Sequence, residues 1–372
     1  MTTYSTLDKD DDQITTRTLL HEAIPLTGTI VSGTYSDNNI KNYAHGMFQS
    51  VYDYPYLSSS ANHIFDITMG LSSDSPLSAS SNVQQAKKSN IYSQMAQVLM
   101  GYDASGNILK FDEDGNVTDG GTKLHDVYFL NFARLLSKDE IKKGTFELEL
   151  GVAENYTGDG KTHVQRIKLT DYSGSDGFFV NSPAGEYGVL FATASAGSTG
   201  ANIMPNNAHR PAAGLVFYQA GVAVVTASVF TDVADGGLLA NGLGSSHMIG
   251  PVSSVDANET VKAVLTGSNI SGACDNFRNR LYNLQFNNTI ELNSTIYFCR
   301  VKNNDYNYSS NPTYLSQSQL RVKEFSTDMP VSYITTVGLY NSDNELLSVA
   351  KLSEPLKKTP DTEFTIRVRL DY

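Results

Sequence analysis

The chain has 372 residues, with 39 acidic and 27 basic side chains and a formal net charge of −12. No run of Lys or Arg exceeds two residues, so the sequence lacks the basic patch that nucleic-acid binding requires. Charged residues make up only 18% of the chain, which has 21 Tyr and no Trp. This composition is typical of a β-rich protein whose surface contacts other proteins or sugars.

Residues 1–45 form the first predicted segment. They show no sustained apolar periodicity apart from a short strand-like run at residues 26–31. Such a segment does not bury enough apolar surface to fold alone, so we expect an extended arm that contacts another chain. The amino terminus has no secretion signal, and no apolar run reaches the roughly 20 residues that cross a bilayer. We therefore expect neither export nor a membrane partner.

Residues 46–310 are predicted to form a central β-rich domain with two helices. The first helix is expected near residues 82–100 and the second near 269–285. Their apolar positions recur at helical spacing, as Val83, Ile91, Met95, Val98 and Leu99 in the first, and Ile270, Cys274, Phe277, Leu281 and Leu284 in the second. Period-two or continuous apolar patterns predict strands at residues 64–69, 126–130, 145–150, 164–169, 187–192 and 296–301. Residues 214–225 fit two strands joined by a tight turn at 219–221, or a buried core segment.

Two polar turns follow the first helix, at residues 103–107 and 112–116. The sequence around the first turn is similar to that around residues 339–347. Two turns are too few to establish a repeat.

Residues 311–372 are predicted to form a small antiparallel sheet of three strands, at residues 333–340, 346–352 and 364–372. In the closing strand Phe364, Ile366, Val368 and Leu370 share one face, and polar side chains take the other. The predicted fold is mainly β, with β-sandwich-like sheets, two α-helices, an extended N-terminal arm and this small C-terminal antiparallel sheet.

The hairpin at residues 333–352 resembles a hairpin of bacteriophage tail-fibre and baseplate-attachment proteins. The shared features are Gly338-Leu339-Tyr340, a polar turn, Asn344, the aliphatic pair Leu346-Leu347, and Val349-Ala350. Residues 45–58 and 301–322 also resemble structural proteins of marine and cyanobacterial contractile-tailed phages. The resemblance implies a structural component of a virion, most naturally at the baseplate or fibre attachment of the tail. It would assemble in the host cytoplasm with other virion proteins and with copies of itself.

Six tyrosines are candidate interface residues. Tyr52, Tyr54 and Tyr56 lie on an irregular segment, because Pro55 disrupts regular strand pairing. They fit core packing, an interface or a sugar-stacking platform. Tyr306 and Tyr308 lie in a long polar loop, and Tyr340 lies at the end of the hairpin strand.

The sequence gives little support for catalysis or metal binding. Its seven histidines lack metal-ligand spacing, and the calcium-like loop at residue 112 has Val117 and Lys123 where glycine and glutamate are required. Asp171 and Asp176 could serve a glycosidase, although acids in a Gly/Ser-rich turn are more often solvated.

We therefore expect no catalytic residue, metal or cofactor, and reduced cysteines at Cys274 and Cys299. The alternatives to a tail component are a neck, collar or capsid-associated protein and, from another class, a carbohydrate-binding receptor module. An enzyme ranks third.

Overall fold

The structure is a computed structural model that describes residues 4–22, 37–78, 83–116, 121–136, 139–152, 166–194, 210–231, 237–239, 269–309, 315–316, 319–320, 325 and 327–372. Of these residues 45% lie in strands and 13% in helices, which confirms the mainly β prediction. The chain divides into a central unit, residues 20–290, and a terminal unit, residues 1–19 with 291–372. Independent folding with boundaries near residues 45 and 310 stays a prediction.

The elements are named in chain order. Those that lie wholly in the central unit are β2 Ile40–Asn42, β3 Gln49–Tyr52, β4 His63–Leu71, α1 Val83–Leu99, β5 Asp126–Asn131, β6 Asp139–Ile141, β7 Glu147–Gly151, β8 Arg166–Thr170, β9 Phe179–Ser182, β10 Gly185–Ala194, β11 Ala212–Phe217, β12 Val222–Thr226, α2 Ile270–Arg280 and β13 Leu281–Gln285. Short 3-10 helices occur at Asp37–Asn39 and Ala227–Phe230. The remaining strands are β1 Gln13–Glu22, β14 Asn288–Val301, β15 Leu315–Ser316, β16 Gln319–Leu320, β17 Ser332–Tyr340, β18 Leu346–Lys358 and β19 Phe364–Asp371.

The central unit is built on an 11-stranded sheet. Its strand order is β13-β7-β8-β10-β11-β12-β5-β4-β3-β2, with β9 paired to β10. Of the two alternatives for residues 214–225, the structure has the pair of strands: β11 and β12 pair antiparallel around a turn that ends at Gly221, where φ is +63°. All five residues of β12 are buried, which explains its continuous apolar sequence.

Helix α1 packs closely on β4 at Gly70, which has no side chain to keep the two elements apart. A Cβ added at Gly70 of β4 would lie 2.9 Å from the Cβ of Tyr92. The buried side of the helix therefore runs through Tyr92 and Ala96, and the predicted positions Val83 and Val98 are exposed. The helix itself is confirmed, but its predicted apolar stripe was wrong at these two residues.

Helix α2 is shorter than the sequence predicted. Asn269 caps its first turn by accepting a hydrogen bond from the Gly272 amide at 2.7 Å, and the helix ends at Arg280. From Leu281 the chain is strand β13, in which Leu284 pairs with Leu148 of β7. The apolar series continues across the junction, so helical spacing alone could not locate the end of the helix.

The closing strand pairs differently from the prediction. We expected a three-stranded C-terminal sheet, but β17 pairs with β18 alone among the described strands. Strand β19 instead pairs antiparallel with β14, with Cys299 opposite Ile366. Its predicted faces are confirmed, because Ile366 and Val368 are buried while the alternate residues Thr365, Arg367, Arg369 and Asp371 are exposed.

Of the described residues in the predicted arm, 13–22 form the extended strand β1, whereas residues 8–12 form a turn in which the Asp12 amide donates to the Asp8 carbonyl at 2.9 Å. Residues 37–42 form a 3-10 helix and strand β2 of the central sheet, so the extended-arm prediction was wrong there. Strand β1 joins the sheet beside β14. Just before it, the Phe298 amide donates to the Asp12 carbonyl at 2.8 Å and Arg300 pairs with the Asp12 carboxylate at 2.9 Å. The predicted run at residues 26–31 lies outside the described residues. Contact of this arm with another chain stays a prediction.

The two similar turns have the same hydrogen bonds. Asp103 in the central unit and Asn341 in the terminal unit each accept, through Oδ1, the amides two and four residues later, at 2.8 Å and 2.8 Å for Asp103 and 3.0 Å and 2.8 Å for Asn341. The fourth residue of each turn has positive φ, +83° at Gly106 and +63° at Asn344. Asn is one of the few side chains that tolerate this conformation, so both sequences satisfy the same backbone requirement.

Candidate functional site

The terminal unit has a thin apolar core. Among its described residues only Val301, Ile366 and Val368 form the buried apolar cluster. The hairpin β17–β18 covers them with one face, through Ile334, Val337, Leu339, Ala350, Leu352 and Leu356. A hairpin that uses one face for so small a core has its other face available for contacts.

Large apolar side chains of the hairpin are exposed to solvent. Leu347 is 67% exposed and Val349 is 52% exposed. Leu347 sits at a register shift, because Leu339 pairs with Ser348 and Tyr340 pairs with Leu346. We call Leu346, Leu347 and Val349, which lie together near the turn end of β18, the exposed hairpin patch. Apolar groups grouped in this way mark interaction surfaces more often than isolated ones do.

The two hairpin strands differ at their outer edges. Neither pairs with another strand among the described residues. Strand β18 contains Lys351, Glu354, Pro355 and Lys357, and such charges and proline discourage further pairing. Strand β17 contains no charged residue and no proline. Its row of backbone N–H and C=O groups is therefore the better template for an added strand.

A groove in the terminal unit brings two predicted tyrosines together. Tyr306 and Tyr340 both line it, along with Leu7 and Arg300, and its volume is about 650 Å³. Tyr4 also lines the groove and packs against Tyr340, with ring centroids 5.0 Å apart and ring planes inclined at 66°. The groove thus joins the amino-terminal segment to the end of the hairpin.

Polar side chains at the base of the hairpin fix the loop that carries Tyr306. The buried Lys358 donates to the Asn303 carbonyl at 2.9 Å and to Asn307 Oδ1 at 2.8 Å, and Ser332 Oγ donates to the Tyr306 carbonyl. Tyr306 has φ of +56°, a strained value for a tyrosine that these bonds help to maintain. Burial raises the pKa of its hydroxyl, and Asp305 and Cys299 add to the effect.

The other predicted tyrosines lie elsewhere. Tyr308 is exposed in the same loop but does not line the groove. Tyr52, Tyr54 and Tyr56 belong to the central unit, where Tyr52 and Tyr56 have ring centroids 6.3 Å apart. Tyr52 is half-buried, whereas Tyr54 and Tyr56 are exposed.

Sequence reasoning missed Tyr4 and Lys358. Tyr4 precedes the first periodic residues, and only the pairing of β1 with β14 brings the amino-terminal segment to the groove. Lys358 reads as an exposed charge in a Lys-Lys pair, yet it is fully buried. The sequence did contain a signal for the burial of Lys358: this lysine ends a strand, and the Asn-rich loop at residues 303–307 has carbonyl groups that need donors.

The predicted acid pair is not placed for glycoside hydrolysis. Asp171 is fully buried and accepts hydrogen bonds from the Gly144 amide at 2.8 Å, the Phe146 amide at 2.9 Å and the Tyr218 hydroxyl at 3.1 Å. Asp176 is exposed. Burial raises the pKa of Asp171. A carboxyl enclosed by three donors cannot reach a sugar, so Asp171 has a structural role.

The described residues contain no group of three or more His, Cys, Asp or Glu side chains placed to hold a metal ion. In the same part of the chain no helix has the length and apolar character needed to cross a membrane. Cys274 is buried, Cys299 is half-buried, and both are free thiols. Burial raises the pKa of both.

Comparison with known proteins found no matching family model, no similar curated protein and no similar solved structure.

Proposed function

We propose that this chain is a structural component of a phage virion, at the baseplate or fibre attachment of the tail, and that it acts through protein–protein assembly. The observation that carries the proposal is the hairpin β17–β18. The hairpin carries the sequence resemblance and the exposed hairpin patch, and the outer edge of its uncharged strand β17 pairs with no other described strand.

Assembly would use two kinds of contact. A strand from a neighbouring subunit adds to the free edge of β17 and supplies backbone hydrogen bonds, which provide affinity without requiring a particular sequence. Leu347 and Val349 are then buried by the partner, at about 25 cal/mol for each Å² of apolar surface removed from water. The partners are other virion proteins and further copies of this chain. A position at the neck, collar or capsid would use the same contacts.

The test replaces Val349 by Lys and follows incorporation into particles when the variant is supplied in place of the wild-type chain. Val349 is 52% exposed, so the free chain should fold normally. A charge buried at an interface costs about 2 kcal/mol or more, so incorporation should fall by at least about tenfold.

The matched control is Val180→Lys, at a residue of strand β9 in the central unit that is 70% exposed. It should enter particles normally. Circular dichroism and thermal unfolding establish that both variants are folded. Equal incorporation of the two variants would contradict the role of the exposed hairpin patch.

A further inference from the structure

A row of polar side chains crosses one face of the central sheet. Lys41 of β2 pairs with Ser50 of β3, Ser50 pairs with Asp66 of β4, and Asp66 pairs with Asn131 of β5. Directly opposite residues in antiparallel strands place their side chains on the same face of the sheet. We call Lys41, Ser50, Asp66 and Asn131 the polar row. Its members come from four strands and from residues up to 90 positions apart, so only the fold assembles them.

Asp66 is held rigidly in the row but keeps one oxygen for a ligand. Its Oδ1 bonds to Ser50 Oγ and, at 2.7 Å, to His63 Nε2. Its other oxygen, Oδ2, accepts no hydrogen bond from the part of the chain that the structure describes. Burial alone would raise the pKa of Asp66, but the hydrogen bonds from His63 and Ser50 outweigh it and hold the pKa below 3.8. The carboxylate is therefore charged at neutral pH.

The ends of the row offer donors. Lys41 has no carboxylate partner among the described residues, and its ammonium lies 5.0 Å from the ring centroid of Tyr43. Asn131 uses its Oδ1 to accept the Ala133 amide at 2.9 Å, and its amide nitrogen has no acceptor in the described structure. A ligand on the row would meet a fixed acceptor between two donors.

Tyrosine rings lie on both sides of the row. Tyr43 follows Lys41 by two residues and Tyr52 follows Ser50 by two residues, and because β2 and β3 are antiparallel the two rings lie on opposite sides. The Tyr43 hydroxyl bonds to Ser50 Oγ at 3.1 Å. Tyr52 packs edge-on against His63, with ring centroids 5.3 Å apart, and its ring centroid lies 6.3 Å from that of Tyr56.

We propose that the polar row and its flanking tyrosines bind a saccharide. Vicinal hydroxyls of a sugar ring donate to Asp66 Oδ2 and accept from Lys41 and Asn131. The C–H face of the sugar packs on Tyr52, because the Tyr43 ring is already stacked on His45 with ring centroids 5.2 Å apart. The Asp66 carboxylate repels a phosphate or sulfate, and an apolar ligand would leave these polar groups without partners. The row also lacks the grouped aliphatic side chains of the exposed hairpin patch, which distinguishes it from a protein-docking surface. This site is independent of the proposed assembly function.

The test is saturation-transfer NMR with the full chain and a panel of methyl glycosides of glucose, galactose, mannose and N-acetylglucosamine. A single sugar ring on an open site binds with a dissociation constant of about 1 mM, so each glycoside is used at about ten times that concentration. We expect transfer to at least one glycoside.

Two variants test the residues of the row. Asp66→Asn keeps an oxygen for Ser50 and His63 but removes the charge, and should weaken binding at least about tenfold. Lys41→Met removes one donor from a half-buried side chain and should weaken it severalfold. The control Asp176→Asn removes an exposed carboxylate outside the row and should bind as the wild type does. Thermal unfolding identifies any variant that is not folded.

Absence of transfer to every glycoside with the wild type would overturn the proposal. Equal binding by Asp66→Asn and Asp176→Asn would also overturn it. Self-association of the chain that is lost in Lys41→Met, without a glycoside signal, would identify the surface as a protein interface and likewise reject a saccharide site.

Discussion

Asp171 shows how one buried carboxyl can organise a fold. Its two oxygens accept from the Gly144 and Phe146 amides and the Tyr218 hydroxyl, and so hold the chain before β7 against the turn after β8. Burial raises its pKa, yet two of its three donors, the Phe146 amide and the Tyr218 hydroxyl, belong to buried residues and need an acceptor. Asp171, which the sequence suggested as one carboxylate of a glycosidase pair, is thus a structural hydrogen-bond acceptor.

We predict that Asp171→Asn destabilises the protein by about 3 kcal/mol in urea unfolding at neutral pH. Asparagine has one acceptor oxygen, so its amide nitrogen would face a backbone N–H and leave that donor without a partner. Tyr218→Phe removes only the hydroxyl and should cost about 1 kcal/mol. A change of less than about 0.5 kcal/mol in Asp171→Asn would contradict the structural role.

Lys88 illustrates the cost of burying a charge. It is fully buried on α1, and burial lowers its pKa to about 8, against a smaller opposing effect from Cys274. The unfolded chain binds the Lys88 proton more tightly than the folded chain does. The charged Lys88 therefore lowers the free energy of unfolding below about pH 8. This destabilisation disappears as the pH rises towards 10.5, the ordinary pKa of lysine.

We predict that the free energy of unfolding of the wild type rises relative to Lys88→Met between about pH 7 and about pH 10. The gap between the two pKa values sets an upper limit of about 3 kcal/mol on the change. Urea unfolding of both proteins across this range measures it. A difference that stays constant, or that moves in favour of the variant as pH rises, would show that Lys88 is not buried as a charge.

At the scale of elements, local patterns predicted strands well and long-range partners poorly. The hairpin β17–β18 and the faces of β19 follow from period-two alternation. The partner of β19 does not, because pairing with β14 joins residues about 70 positions apart and nothing in the local pattern specifies it. The polar row could not be predicted locally either. Its four residues come from four strands, and in the sequence each looks like an ordinary surface side chain.

Strand β19 provides a test of the terminal unit as an attachment element. Ile366 is one of the three buried core residues, so Ile366→Asp places a carboxylate where it is not solvated, at a cost of about 3 to 5 kcal/mol. The central unit has its own large core and should stay folded. We expect largely normal circular dichroism and loss of incorporation into particles.

The control for this variant is Arg367→Asp, one residue along and on the exposed face. It should fold normally and enter particles. Normal incorporation of Ile366→Asp would contradict the attachment role, and global unfolding would show that the chain has one continuous core.

At the scale of the whole molecule, the two units present different surfaces. The terminal unit has a thin core, exposed aliphatic side chains and an uncharged strand edge that pairs with no other strand in the described part of the chain. These features are typical of a chain that binds neighbouring subunits. The central unit buries an extensive apolar core and carries the polar row on its sheet. We therefore propose that the terminal unit serves assembly and that the central unit binds the ligand.

The most direct test of the assembly function is a reconstruction of the purified phage particle at a resolution that traces backbone. We expect this chain in the tail, in several copies, with a strand of a neighbouring subunit hydrogen-bonded to the free edge of β17 and with Leu347 and Val349 buried by that neighbour. Absence of the chain from purified particles, or its presence with the edge of β17 open to solvent, would contradict the account.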